Sequence, residues 1–128
     1  MADRLLLDTH ALIWALADPD QLNPAVRERL FDLSTPVLVS PASIYEITLK
    51  VALGKLEAPA ADLLATVTQS GFEELPLRLS HANLAGRLPP HHRDPFDRLL
   101  IAQALLEHLT LVSRDALLQA YGVQLLVC

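Results

Sequence analysis

Short apolar runs alternate with longer stretches of helical length along this chain. "RLLLD" opens it as a brief strand, and "HALIWALA" then has helical length and composition up to the turn "DPD". Asn23 before Pro24 reads as an N-cap with proline at the first helical position, and Val26, Leu30 and Leu33 fall on one face beyond it. "PVLVS" predicts a second strand. A helix from about Pro41 to Leu53 follows, capped by Ser40 and closed by Gly54, and another from about Pro59 to Ser70, closed by Gly71. "FEELP" is a weak strand, and "SHANLAGRL" a short helix capped by Ser80. The pattern ends with a helix beginning at "DPFD", a strand "LTLVS", a short helix "RDALLQAY" ended by Gly122, and a last strand "VQLLV".

Strands separated by helices imply parallel pairing through right-handed crossovers, with helices on both sheet faces. The unbroken apolar runs agree, because parallel strands are buried on both sides. The predicted fold class is therefore α/β: a three-layer α/β/α domain around a central, mainly parallel sheet of five strands. No repeat, linker or low-complexity segment divides it, so residues 1–128 are expected to form one domain.

Composition narrows the class. Apolar residues make up 52% of the chain, which suits a packed core rather than a disordered segment. The single cysteine, Cys128, can form neither an internal disulfide nor a multi-cysteine zinc site. No run approaches the ~18 apolar residues of a membrane helix, and "MADRLLLD" lacks the apolar region of a signal peptide. The expected compartment is the cytoplasm. A formal charge of −5 argues against indiscriminate nucleic-acid binding but is compatible with an enzyme whose acids hold a metal.

Four acids from separated segments converge on one predicted edge. In open parallel sheets the ligand crevice lies beyond the carboxyl ends of the strands. Asp8 ends the first strand and Asp115 follows "LTLVS" by two residues. Asp97 lies in the first turn of the helix leading into "LTLVS", and Glu46 about two turns into the helix after "PVLVS". Carboxylates about 4 Å apart repel by roughly 4 kcal/mol at an effective dielectric near 20, so such a cluster favours a cation. Oxygen donors without a cysteine set or a histidine pair suit Mg²⁺ or Mn²⁺ better than zinc.

Each acid also has a purely structural role open to it. Asp94 is placed as the cap of "PFDRLLIAQALLEHL", and Asp97 can serve the helix dipole as well as a metal. Glu46 and Lys50, four apart, suit an exposed ion pair away from the face of Ile44, Ile47, Thr48 and Val51. Asp115 can start its own short helix. Asp8 is the anchor, because an acid buried at the end of "RLLL" is costly unless paired or bound. Thr9 is expected to cap the first helix, or else to place a water on the metal, and Ser113 to satisfy a strand end. His10 reads as a helix-start residue, and His91 and His92 as an exposed loop pair.

"LLLDTHALIWAL", "VSPASIYEITLKVALGKL", "HHRDPFDRLLIAQA" and "LVSRDALLQAYGV" together resemble the PIN domain family, and within it the VapC-type toxins of bacterial toxin–antitoxin modules. The resemblance spans essentially the whole chain. It implies an acidic quartet of Asp8, Glu46, Asp97 and Asp115, with Asp8 and Asp97 as the principal metal ligands and the other two completing the pocket. Asp94 carries over only as a cap. The resemblance further implies a Mg²⁺-dependent endoribonuclease that leaves 3′-hydroxyl and 5′-phosphate ends, a small inhibitory antitoxin, and a homodimer. Arg93, Arg98, Arg114 and Lys50 stand beside the acids as candidates to hold flanking phosphates or an antitoxin segment, or to balance local charge. Two rivals remain. A phosphoryl-transfer enzyme with Asp8 as nucleophile would want a second acid two residues on, where His10 stands. A non-catalytic binding module of the same fold would use the acids only to meet a basic partner.

Overall fold

The computed structural model describes residues 4–128; the first three residues of "MADRLLLD" lie outside the described residues. Five strands, β1 (Leu5–Leu7), β2 (Val37–Val39), β3 (Glu73–Glu74), β4 (Thr110–Ser113) and β5 (Gln124–Val127), form one sheet in the order β3-β2-β1-β4-β5. Every pairing is parallel. Six α-helices connect them: α1 (Thr9–Ala17), α2 (Pro24–Leu30), α3 (Pro41–Ala52), α4 (Leu63–Gln69), α5 (Leu79–Arg87) and α6 (Pro95–Glu107). None is long and apolar enough to cross a membrane.

Successive strand residues point to opposite faces, and the apolar runs supply both. Leu5, Leu7, Val37, Val39 and Val112 pack with Leu12 of α1 and with Val26 and Leu30 of α2. Leu6, Leu38 and Leu111 pack on the other face with Leu100, Ile101 and Ala104 of α6. Two cores on one sheet make the three layers the alternation predicted. The central strand β1 is wholly buried, and its register against β4 carries the chain into Asp8, whose N–H donates to the Val112 carbonyl at 3.0 Å.

Several element ends differ from the sequence expectation, each for a local reason. The helix expected from Pro59 begins at Leu63, because Asp62 supplies the cap by accepting from Ala65 N–H at 3.1 Å. The helix expected to be capped by Ser80 begins at Leu79; the Arg78 N–H is instead taken by Nδ1 of the buried His81 at 2.9 Å. Leu33 lies beyond the end of α2 and is fully exposed rather than sharing the face of Val26 and Leu30. "ALLQAY" winds as a 3₁₀-helix, Ala116–Tyr121, closed by Gly122 at φ 76°. Asn23, Ser40 and Asp94 cap their helices as expected.

Candidate active site

All five strands run the same way, so their carboxyl ends share one rim. Asp8 leaves β1 there and caps α1, its Oδ1 accepting from Ala11 N–H at 2.8 Å. It is 6% exposed. Burial raises its pKa above the ordinary carboxylate value, and hydrogen bonds from the Ser113 side chain and from Ala11 N–H offset that only in part. Thr9 is therefore neither cap nor free hydroxyl. Its Oγ1 donates to Oε1 of Glu46 at 2.5 Å and lies 3.3 Å from Ser43 Oγ.

Of the two roles open to Glu46, an exposed ion pair and a place in the acidic pocket, its burial excludes the exposed one: it is 4% exposed. α3 buries Ala42, Ser43, Glu46 and Ile47, because the helix is wedged between the two cores: Ala42 belongs to one and Ile47 to the other. The ion pair with Lys50 does form, at 2.6 Å from Nζ to Oε2. Both oxygens of Glu46 thus already hold a protein donor.

Asp97 faces a different environment. Asp94 takes the cap, its Oδ1 accepting from the N–H groups of Phe96 and Asp97 at 2.8 and 3.1 Å, which leaves the Asp97 carboxylate free to turn inward. Oδ2 of Asp97 meets Nε2 of His92 at 2.8 Å. His92 is therefore not an exposed loop residue, and its position is enforced. Arg98 donates to the carbonyls of Ala85, Leu88, Pro89 and His92 at 2.7–3.1 Å, and Tyr121 Oη to that of Pro89 at 2.9 Å. These five bonds tie down the loop before α6. They also remove Arg98 from the candidate phosphate-binding cations. The pKa of Asp97 is pushed up to about 6: burial is the main cause, the His92 hydrogen bond opposes it, and the charges of Asp94 and Asp8 add to it.

Asp115 is the acid the structure draws in least. It caps the 3₁₀-helix, with Oδ1 accepting from Leu117 N–H at 3.0 Å, while its own N–H donates to Ser113 Oγ at 3.1 Å. Beside Asp8 the rim carries cationic and aromatic groups. Arg114 lies 5.5 Å above the Trp14 ring, with Nη2 3.3 Å from Nε2 of exposed His10. Partial shielding of its ring from water and the nearby Arg114 charge lower the His10 pKa.

The rim brings Asp8, Asp97 and Asp94 within electrostatic reach of one another, and Lys50 within reach of Glu46, Asp94 and Asp97. Among the described residues no three His, Cys, Asp or Glu side chains are gathered tightly enough to hold an ion. Their oxygens are engaged by Ala11, Thr9, Lys50, His92 and Leu117 instead. The donor chemistry still suits a hard divalent cation. It is all oxygen, and burial has left Asp8 and Asp97 with negative charge their surroundings do not fully balance. Sequence reasoning missed His92 and the link from Thr9 to Glu46. The only signal for either was proximity to an acid.

Among curated proteins, none matches this sequence. Among solved structures, the fold is similar to VapBC of Salmonella typhimurium in complex with DNA, at TM-score 0.70 and 20% identity over 99% of this chain and 98% of that one. It is similar also to VapBC2 of Rickettsia felis bound to a fragment of promoter DNA, at TM-score 0.68 and 14% identity over 96% and 97% of the two chains. A third is VapBC-5 of Mycobacterium tuberculosis, a member of the VapBC family of toxin–antitoxin systems, at TM-score 0.61 and 20% identity over 98% and 97%. At such identities the likeness is one of fold. The family model described as PIN domain matches residues 5–123, and with a parallel sheet delivering the acids to one rim, the chain belongs to the PIN domain family.

Proposed function

We propose that this chain is a metal-dependent endoribonuclease, using Mg²⁺ with Mn²⁺ as a substitute, and the toxin of a toxin–antitoxin pair. The observation that carries the reading is the placement, in a PIN-family domain, of buried Asp8 at the end of β1 and half-buried Asp97 at the start of α6 on one rim. A domain of this family that concentrates unbalanced carboxylate charge at its strand ends is suited to a divalent cation and, through it, a phosphodiester. Asp8 and Asp97 would hold the ion, and Glu46 and Asp115 would complete the pocket directly or through water. When bound, such an ion would polarise the phosphate and lower the pKa of an attacking water, and the family resemblance implies 3′-hydroxyl and 5′-phosphate ends.

The chain's own residues prepare that chemistry. Ala11 N–H fixes one oxygen of Asp8, and the loop pinned by Arg98 presents His92 to Asp97. Asp94 occupies the helix cap so that Asp97 need not. Arg93 and Arg114 are exposed beside the acids and suited to flanking phosphates. The similar folds of VapBC complexes support a small cognate antitoxin as partner, with a homodimer of a single-domain chain of residues 1–128 as part of the same reading. The engaged oxygens favour one rival, a binding module without turnover.

The deciding experiment incubates purified protein and RNA with Mg²⁺ and sequences the ends produced. Cleavage by the parent chain that is lost in a folded Asp97→Asn variant supports the nuclease. Equal cleavage by both contradicts the site, and no cleavage by either leaves the binding module. Ca²⁺ in place of Mg²⁺ is expected to bind and to slow the reaction, since its coordination is larger and less rigid.

A further inference from the structure

Glu46 is an unusual acid for a metal pocket, because both of its oxygens are taken at short range while it is almost wholly buried. Oε1 accepts from Thr9 at 2.5 Å and Oε2 from Lys50 at 2.6 Å. A buried carboxylate stripped of its cationic partner is strongly unfavourable unless another cation replaces it. The two donors are not equivalent. Thr9 is buried and fixed by its place in the first turn of α1, whereas the Lys50 side chain is 39% exposed and ends a flexible four-carbon stem. Its ammonium also feels the charges of Asp94, the cap of α6, and of Asp97 in its first turn, so one partly exposed cation serves acids from two segments.

We infer that Lys50 is the resident counter-ion of the acidic pocket: its ammonium holds Glu46 until a divalent cation displaces it, and it thereby sets how tightly the chain takes up metal. This rests on the reading of Asp8, Glu46 and Asp97 as a metal pocket. Exchange is feasible because the leaving ammonium swings into water that already reaches it, while the arriving ion brings twice the charge to the same carboxylates. In the absence of metal the lysine keeps Glu46 from being buried as an uncompensated anion. In its presence the lysine is a competitor. An ordinary exposed pair four residues apart on a helix would do neither, because water could replace either partner.

The test is a Mn²⁺ titration of the full chain, followed by isothermal calorimetry or by the electron paramagnetic resonance signal of free Mn²⁺. Lys50→Met is expected to tighten Mn²⁺ binding on the order of tenfold, as removal of one competing positive charge close to the ion should. Lys50→Arg, which keeps a cation, is expected to stay near the parent affinity. In a Glu46→Gln background the same lysine substitution should give much less tightening, since the carboxylate that it holds directly is gone. Metal-free Lys50→Met should also melt below the parent, with the gap narrowing as Mn²⁺ is added. If Lys50→Met does not fold, Lys50→Gln answers the same question with a neutral polar side chain.

Unchanged or weaker Mn²⁺ binding by the folded neutral variant overturns the inference. Weaker RNA binding at unchanged Mn²⁺ affinity does so too, and assigns Lys50 to a substrate phosphate. The parent's failure to bind Mn²⁺, or binding indifferent to Asp97→Asn, sinks the metal pocket itself and is thus distinguishable from failure of the lysine's role alone.

Discussion

Glu46 and Asp97 reach the same rim from two helices, and their surroundings treat them oppositely. Glu46 is the more buried, yet it meets a hydroxyl and an ammonium at 2.5 and 2.6 Å. Asp97 is half-buried and meets one imidazole, with Asp94 and Asp8 as like-charged neighbours that help raise its pKa to about 6. Depth of burial alone therefore does not say which acid is short of positive charge; the partners do. A cation arriving at this rim gains most at the Asp97 side and must displace something at the Glu46 side.

The largest expected contrast is catalytic. Asp8→Asn or Asp97→Asn should lower Mg²⁺-dependent cleavage at least about a hundredfold, at or above the upper range for losing an outer-shell partner of a metal ligand. Thr9→Val, which only unties Glu46, should fall at the lower end of that range, about tenfold. Equal losses in the two halves of the rim would erase the distinction.

Next comes pH. The folded pKa of Asp97, about 6, lies above the unfolded aspartate value of about 3.9, so the proton favours the folded state. That contribution is fully present below about pH 4 and is lost as the pH rises through 6. Without metal, urea denaturation should show the parent losing on the order of 2 kcal/mol across that window relative to Asp97→Asn. Buried Asp8 acts in the same direction in both proteins. A parent curve parallel to that of Asp97→Asn would show that the charge of Asp97 is balanced after all.

Asp94 separates capping from charge. Asp94→Ala should cost about 1 kcal/mol through the lost cap, as measured by denaturation. Asp94→Asn should keep the cap and move the Asp97 titration to lower pH by removing one neighbouring charge. The smallest effect is remote from the rim. His108 ends α6 at φ 55°, where glycine is at ease, so His108→Gly should raise stability by about 0.5–1 kcal/mol and leave cleavage unchanged.

Much of this was legible in the residues. The strand–helix alternation was, because parallel strands advertise themselves as unbroken apolar runs. The division between Asp94 and Asp97 was, because aspartate before proline is a local cap signal that leaves the third helical position spare. The inward turn of Glu46 followed from its place near the rim and from the resemblance, but not from its helical wheel. A helical wheel assumes a single buried face, and α3 has two, with Ala42 in one core and Ile47 in the other. The link from Thr9 to Glu46 leaves no local signal, because the two residues lie 37 positions apart. The position of His92 leaves none either, because the carbonyls that fix its loop are gathered by Arg98, a side chain from the following helix. Contacts made across long sequence separations leave no periodic trace.

The outer strand beside β2 is only two residues long, Glu73 and Glu74, and both are exposed. A sheet margin of that length offers a foreign chain few free backbone groups, and its paired acids repel a second copy approaching edge to edge. A protein whose strands β1 and β2 are three-residue apolar runs is thus guarded at that flank against growing into a fibre.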